Sequence, residues 1–138
     1  MYNNVMSLFV PFEVAQLADK AGFTQGCIAW FEPDTKIFHV LGQEPDIDYP
    51  NQWHTTFKTP EIIQAPMYPQ LIKWLFDQGL NLHHSWLPCE QKWGCDIYAV
   101  EGDLLWSDHA AGIGGKFDTL EEAWTVAITK AIEFVLKF

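Results

Sequence analysis

Apolar residues recur at helical spacing in three stretches of the chain, and each stretch predicts a helix. The first covers residues 11–21, where Pro11 suits a first turn and Gly22 supplies the stop. The second covers residues 68–78 and ends before Gly79. Each of these helices has one apolar side, which we expect to lie on a core.

The third helix is predicted from Thr119 to the C-terminus. Thr119 and Glu122 have the spacing of a capping box, in which the threonine hydroxyl accepts a hydrogen bond from the amide three residues later. Glu121 and Glu122 lie at the positive end of the helix dipole. An apolar stripe then runs through Leu120, Ala123, Trp124, Ala127, Ile128, Ala131, Phe134 and Val135.

Short apolar or alternating runs bounded by turn residues predict strands. Residues 27–31 and 37–41 read as the two arms of a hairpin. Residues 80–87 alternate as a half-buried strand does, and residues 96–101 and 104–107 follow as returning strands. One face of the strand 80–87 carries Leu80, Leu82, His84 and Trp86.

A long proline-rich loop is predicted at residues 42–66, with residues 53–57 as the best candidate for a short strand inside it. The order of elements predicts the α+β class. We expect one antiparallel sheet of about four to five strands, packed with an N-terminal, a middle and a C-terminal helix.

The composition favours a folded, soluble chain. Of its 138 residues, 49% are hydrophobic and 19% charged, and a chain of this length buries roughly two thirds of its surface, so we predict one domain over residues 1–138. Three cysteines cannot all pair within one chain, which favours a reduced, cytoplasmic setting. No basic segment precedes the apolar N-terminal stretch, and no apolar run approaches the roughly 20 residues of a membrane span.

The charge balance excludes several classes of partner. The chain has 18 acidic residues and 8 basic ones, all lysine, for a formal net charge of -10. Nucleic-acid binding relies on clustered lysine and arginine, and binding to anionic lipid uses polybasic segments, so neither partner is predicted. An acidic decoy for a DNA-binding protein is compatible with this charge.

Three parts of the chain, taken together, match a known pattern. They are residues 15–23 with 27–31, residues 65–75, and residues 117–124 with the helix that follows. As a set they resemble a family of small uncharacterised proteins of phages, prophages and Bacteroides-type genomes. Met67 stands where that family has the threonine that caps the middle helix. The resemblance implies a phage or mobile-element context and brings no catalytic residue or cofactor.

One group of residues has side chains that bind metals: His83, His84, Cys89, Cys95, Asp108 and His109. The Cys-x5-Cys spacing departs from the roughly two to four residues that separate paired zinc ligands, so we predict no metal and no cofactor. The competing interpretation is one half-buried strand histidine, one surface histidine and two buried cysteines. A pocket using His83, His84, Asp108 and His109 remains the alternative active site.

Two further motifs carry no predicted chemistry. The glycine-rich residues 112–116 lack phosphate-loop spacing, and Phe117 stands where a serine or threonine would hold magnesium. Cys27 lies inside an apolar run, where burial suppresses the thiolate that nucleophilic chemistry needs.

Tryptophan is in surplus, with seven in the chain. If those on predicted loops and strand ends gather, they form the kind of aromatic patch found in interface cores; otherwise each closes its own loop. These are Trp53, Trp86, Trp93 and Trp106. The sequence therefore predicts a non-enzymatic, acidic interaction domain of phage or mobile-element type that binds a protein partner or itself. The alternative is a small enzyme or ligand-binding protein with a His/Asp pocket, with metal dependence left open.

Overall fold

The computed structural model of the protein describes residues 7–40, 62–107 and 117–137. Over these ranges the chain has three α-helices and six β-strands, which confirms the α+β class. The strands form two three-stranded antiparallel sheets, whereas the sequence predicted one sheet of about four to five strands. The sheets belong to two compact units, Met1–Tyr68 (the first unit) and Pro69–Phe138 (the second unit). The single domain over residues 1–138 stays a prediction.

The first unit opens with helix α1, Phe12–Lys20, close to the predicted bounds. Gly22 follows the end of the helix and stops it, since its φ of 101° lies in the left-handed region that glycine enters without steric cost. The amide of Phe23 donates to the Ala18 carbonyl at 2.9 Å, and the amide of Gly22 donates to the Asp19 carbonyl at 3.2 Å. This is the hydrogen-bond pattern of a Schellman C-terminus, and it confirms the predicted stop at Gly22.

The sheet of the first unit has the order β2-β1-β3. Strands β1 (Ala29–Phe31) and β2 (Phe38–Val40) form the predicted hairpin. Strand β3 (Ile63–Gln64) pairs with the other edge of β1 and is fully buried. The sequence did not predict β3, and the strand predicted at residues 53–57 lies outside the described residues.

Helix α2, Tyr68–Asp77, confirms the predicted middle helix, and all of it after Tyr68 belongs to the second unit. Strands β4 (Leu80–Leu87), β5 (Lys92–Ala99) and β6 (Leu104–Ser107) follow in the order of the sheet. Strand β5 begins earlier than predicted, because its ladder with β4 continues to the pair Leu87 and Lys92 at the end of the hairpin.

Helix α3, Leu120–Lys137, begins at the predicted cap, where the hydroxyl of Thr119 accepts a hydrogen bond from the Glu122 amide at 3.1 Å. Ala123 and Ala127 of this helix form a buried cluster with Cys95 of β5. Because these side chains are small, the helix can approach the sheet closely. Four partly buried hydrophobic residues pack around the cluster: Leu82, Trp93, Trp106 and Phe117. In the described ranges, no helix is long and apolar enough to cross a bilayer.

Candidate functional site

Four aromatic rings follow one another where the second sheet packs against α3, three on the face of the sheet and one on the helix. Directly opposed residues of antiparallel strands point to the same side, and the ladder opposes His84 to Cys95 and Trp86 to Trp93. Ring centroids lie 5.4 Å apart between Trp86 and Trp93, 5.8 Å between Trp93 and His84, and 5.5 Å between His84 and Trp124. We call Trp86, Trp93, His84 and Trp124 the aromatic strip.

Within the aromatic strip, Trp93 is held in place by its neighbours, whereas Trp86 at one end is exposed to solvent. Trp93 packs on the buried cluster beneath α3, and its backbone exchanges two hydrogen bonds with Phe117, of 2.7 and 3.2 Å. Trp86 is 47% exposed. A large indole held against a rigid neighbour in this way loses little conformational freedom when a partner covers it.

A hydrogen bond from Trp124 selects one tautomer of the neutral His84 ring. The indole Nε1 of Trp124 lies 3.3 Å from Nδ1 of His84. Because an indole nitrogen only donates, Nδ1 must be the unprotonated acceptor, and the neutral imidazole then carries its proton on Nε2. His84 therefore keeps one donor, Nε2–H, in a largely apolar neighbourhood.

A groove adjoins the aromatic strip. One wall comes from α2, where Ile72, Lys73 and Phe76 repeat at helical spacing, and Phe76 is 43% exposed. Leu82 and His84 of β4 and Trp124 of α3 lie opposite, and the enclosed volume is about 400 Å³. We call this the α2–β4 groove.

Lysine side chains beside the aromatic strip and the α2–β4 groove form ion pairs with carboxylates. Lys73, on the groove wall, binds Asp77 one turn later at 2.8 Å. Lys92, at the start of β5, pairs with Asp118. An apolar centre with paired charges around it has the layout of a protein interface with a polar rim.

The structure brings together only part of the predicted tryptophan patch. Trp86 and Trp93 are in contact, whereas Trp106 packs on the cluster beneath α3 and has no described ring contact with the aromatic strip. Trp53 lies outside the described residues. Trp124, which the helical pattern assigned to a buried stripe, is half-buried and completes the strip.

Two histidines of the alternative pocket, His83 and His84, lie on opposite faces of β4. His83 makes an edge contact with Tyr98, with centroids 5.1 Å apart, on the face away from the aromatic strip. Asp108 and His109 lie outside the described residues. Of the two cysteines, Cys95 is buried and Cys89 is exposed in the turn before β5. In the parts of the chain that the structure describes, no three metal-binding side chains gather.

The sequence did not predict two parts of the site: the residues of α2 that form the groove wall, and Trp124. The apolar side of the middle helix is predicted to lie on a core, whereas Phe76, one turn after Ile72, is exposed. A comparison of the chain with protein families, curated proteins and solved structures gave no match.

Proposed function

We propose that this protein is a non-enzymatic binding protein that docks an apolar segment of another protein on the aromatic strip and the α2–β4 groove. The observation that carries the proposal is the continuity of the two features through His84 and Trp124, which belong to both. Exposed rings stand at both ends of this surface, Trp86 at one and Phe76 at the other.

The composition of this surface favours a protein as the ligand. Tryptophan is enriched among the few positions that carry most of the binding energy of protein interfaces, and phenylalanine is enriched in interface cores. The surface also continues past the groove to Trp93 and Trp86, which do not line it. A small molecule held in the groove would leave these indoles uncovered, whereas a segment of a partner chain can reach both.

The polar groups support docking of a backbone. The Nε2–H of His84 is available to donate to a partner carbonyl, which would fix the register of an otherwise apolar contact. Because Lys73 and Lys92 are already paired with carboxylates, the affinity is expected to depend little on salt. The phage or mobile-element setting is part of the proposal and rests on the sequence resemblance alone.

Affinity capture from host lysate with matched baits tests the proposal. The baits are the wild type, Trp86→Ser, Phe76→Ser and, as control, Leu136→Ser, which removes an apolar side chain of equal exposure, 47%, near the other end of α3. We expect a partner that the wild type and Leu136→Ser retain and both surface variants lose. A partner retained equally by all four baits would contradict the proposed surface.

Two further measurements test two other binding partners, a second copy of the chain and a DNA-binding protein. Light scattering at several concentrations detects self-association, and a dimer that Trp86→Ser dissociates would assign the surface to a second copy of the chain. Capture at low and high salt tests the acidic decoy, whose binding would collapse as salt rises.

The alternative of a small enzyme or ligand-binding protein has one observation in its favour, since His84 lines the groove. Metal analysis of protein purified without a histidine tag tests the metal-dependent form. Stoichiometric zinc or another transition metal would favour the alternative over the docking function.

A further inference from the structure

The first unit contains a second cavity, whose walls are phenyl rings. Its volume is about 520 Å³. Four rings follow one another along it, with centroids 5.3 Å apart between Phe9 and Phe38, 5.4 Å between Phe38 and Phe31, and 5.5 Å between Phe31 and Phe12. We call this the phenyl cleft.

The rings of the phenyl cleft come from separate elements, so the fold of the first unit determines its shape. Phe12 belongs to α1, Phe31 to β1 and Phe38 to β2. Each of these rings is at most 8% exposed, while Ser7 and Lys36, which also line the cleft, are exposed. The cleft therefore has apolar walls and a polar mouth.

The mouth carries a positive charge. Nζ of Lys36 lies 5.2 Å from the centroid of the Phe12 ring, within the range of a cation–π contact. Three other lysines of the described chain, Lys73, Lys92 and Lys130, are each paired with a carboxylate. No described carboxylate pairs with Lys36, although the chain has a net charge of -10.

The backbone at Lys36 has an unusual conformation that presents this side chain. Its φ of 63° lies in the left-handed region, where a residue with a Cβ is less stable than glycine. The position closes the loop of the hairpin, since the Lys36 amide donates to the Glu32 carbonyl at 2.8 Å. Glycine would close this loop at lower backbone cost, so the lysine side chain needs another explanation, and a ligand contact supplies one.

We propose that the phenyl cleft binds a small carboxylate with an apolar body, whose hydrocarbon part lies among the phenyl rings and whose carboxylate meets the ammonium of Lys36. The volume is within the range of small-molecule sites, which are largely apolar with few polar groups that orient the ligand. A single ammonium at the mouth matches a single negative charge on the ligand.

Titrations followed by NMR of the amide resonances of residues 7–38 test this site in the full-length chain. The probes are hydrocinnamate, its neutral primary amide and octanoate. The first two have the same apolar body and differ in charge, whereas octanoate replaces the ring with an aliphatic chain. We expect both carboxylates to shift these resonances, and hydrocinnamate to bind about three- to tenfold more tightly than the amide.

Three variants test whether Lys36 causes the preference for the carboxylate over the neutral amide. Lys36→Gln should bind acid and amide equally, and Lys36→Arg should keep the preference because it keeps the charge. Lys20→Gln, at an exposed lysine of α1, is the matched control and should behave as the wild type. An intact amide spectrum for each variant shows that the fold is retained.

The proposal is overturned if neither carboxylate shifts the resonances of residues 7–38, if the amide binds as tightly as the acid, or if Lys36→Gln leaves the preference unchanged. The site lies in the first unit and the docking surface in the second, so each proposal can fail without the other.

Discussion

The indole Nε1 of Trp124 donates a hydrogen bond to Nδ1 of His84 across 3.3 Å, and this contact joins α3 to β4. The two residues are forty positions apart in the chain. Their rings also meet edge to face, at an interplanar angle of 87°. This pair lines the α2–β4 groove and ends the aromatic strip, so the geometry of the docking surface depends on it.

The hydrogen bond predicts the tautomer of His84. Because Nδ1 accepts from the indole, the neutral ring carries its proton on Nε2. Nitrogen-15 NMR of labelled histidine distinguishes the two tautomers, and we expect the Nε2–H form at His84. In Trp124→Phe, which lacks the donor, the signals should shift toward a mixture of tautomers while those of His83 stay unchanged. A proton on Nδ1 in the wild type would contradict the hydrogen bond.

The cap of α3 predicts a stability change. Thr119→Ala removes the hydroxyl that accepts from the Glu122 amide, and loss of such a cap destabilises proteins by about 1 kcal/mol. Urea unfolding measures the free energy of the variant. The control is Thr129→Ala, where the hydroxyl donates back to the Thr125 carbonyl at 2.7 Å and a change below about 0.5 kcal/mol is expected. Equal losses in both variants would show that the cap has no special role.

Local patterns account for what the sequence predicted well. Helix α2 was placed from its apolar spacing and from Gly79, whose φ of 94° stops the helix, and the cap of α3 from the pair Thr119 and Glu122. The period of two along β4 put His84 and Trp86 on one face, as the structure shows. Each of these features is decided by residues a few positions apart.

The wrong predictions concern contacts between residues that are far apart in the chain. Over the described residues the chain has two sheets, because β1 pairs with β3 in the first unit and β5 with β6 in the second. The β5–β6 pairing is local, but β3 is far from β1 in the chain, so no local pattern predicts that β3 joins the first hairpin. Trp124 was assigned to a helical stripe, but its contact with His84 depends on how α3 lies across β4. Part of the candidate site was therefore visible in the sequence, and the groove was not.

The cysteines differ in exposure and should differ in reactivity. Cys27 and Cys95 are 2% and 0% exposed, whereas Cys89 is exposed in the turn between β4 and β5. We expect one thiol per chain to react rapidly with a thiol reagent in the native protein, and all three after unfolding. Cys89→Ser should abolish the rapid phase. A rapid phase that survives this substitution would mean that a buried cysteine becomes accessible in the native state.

The docking surface depends on Trp86, and loss of its indole should weaken binding more than it weakens the fold. Edge-to-face ring pairs contribute about 0.5–1.5 kcal/mol, so Trp86→Ser should unfold at slightly lower urea concentration but stay folded under binding conditions. A tryptophan that anchors an interface commonly contributes about 2 kcal/mol or more to binding, which corresponds to about a 30-fold change in the dissociation constant.

The most direct test of the docking function is the dissociation constant of the captured partner, measured by calorimetry for the wild type, Trp86→Ser and Leu136→Ser. We expect Trp86→Ser to weaken binding about 30-fold and Leu136→Ser to change the dissociation constant less than about threefold. Equal affinities for the wild type and Trp86→Ser, with both proteins folded, would contradict the docking function.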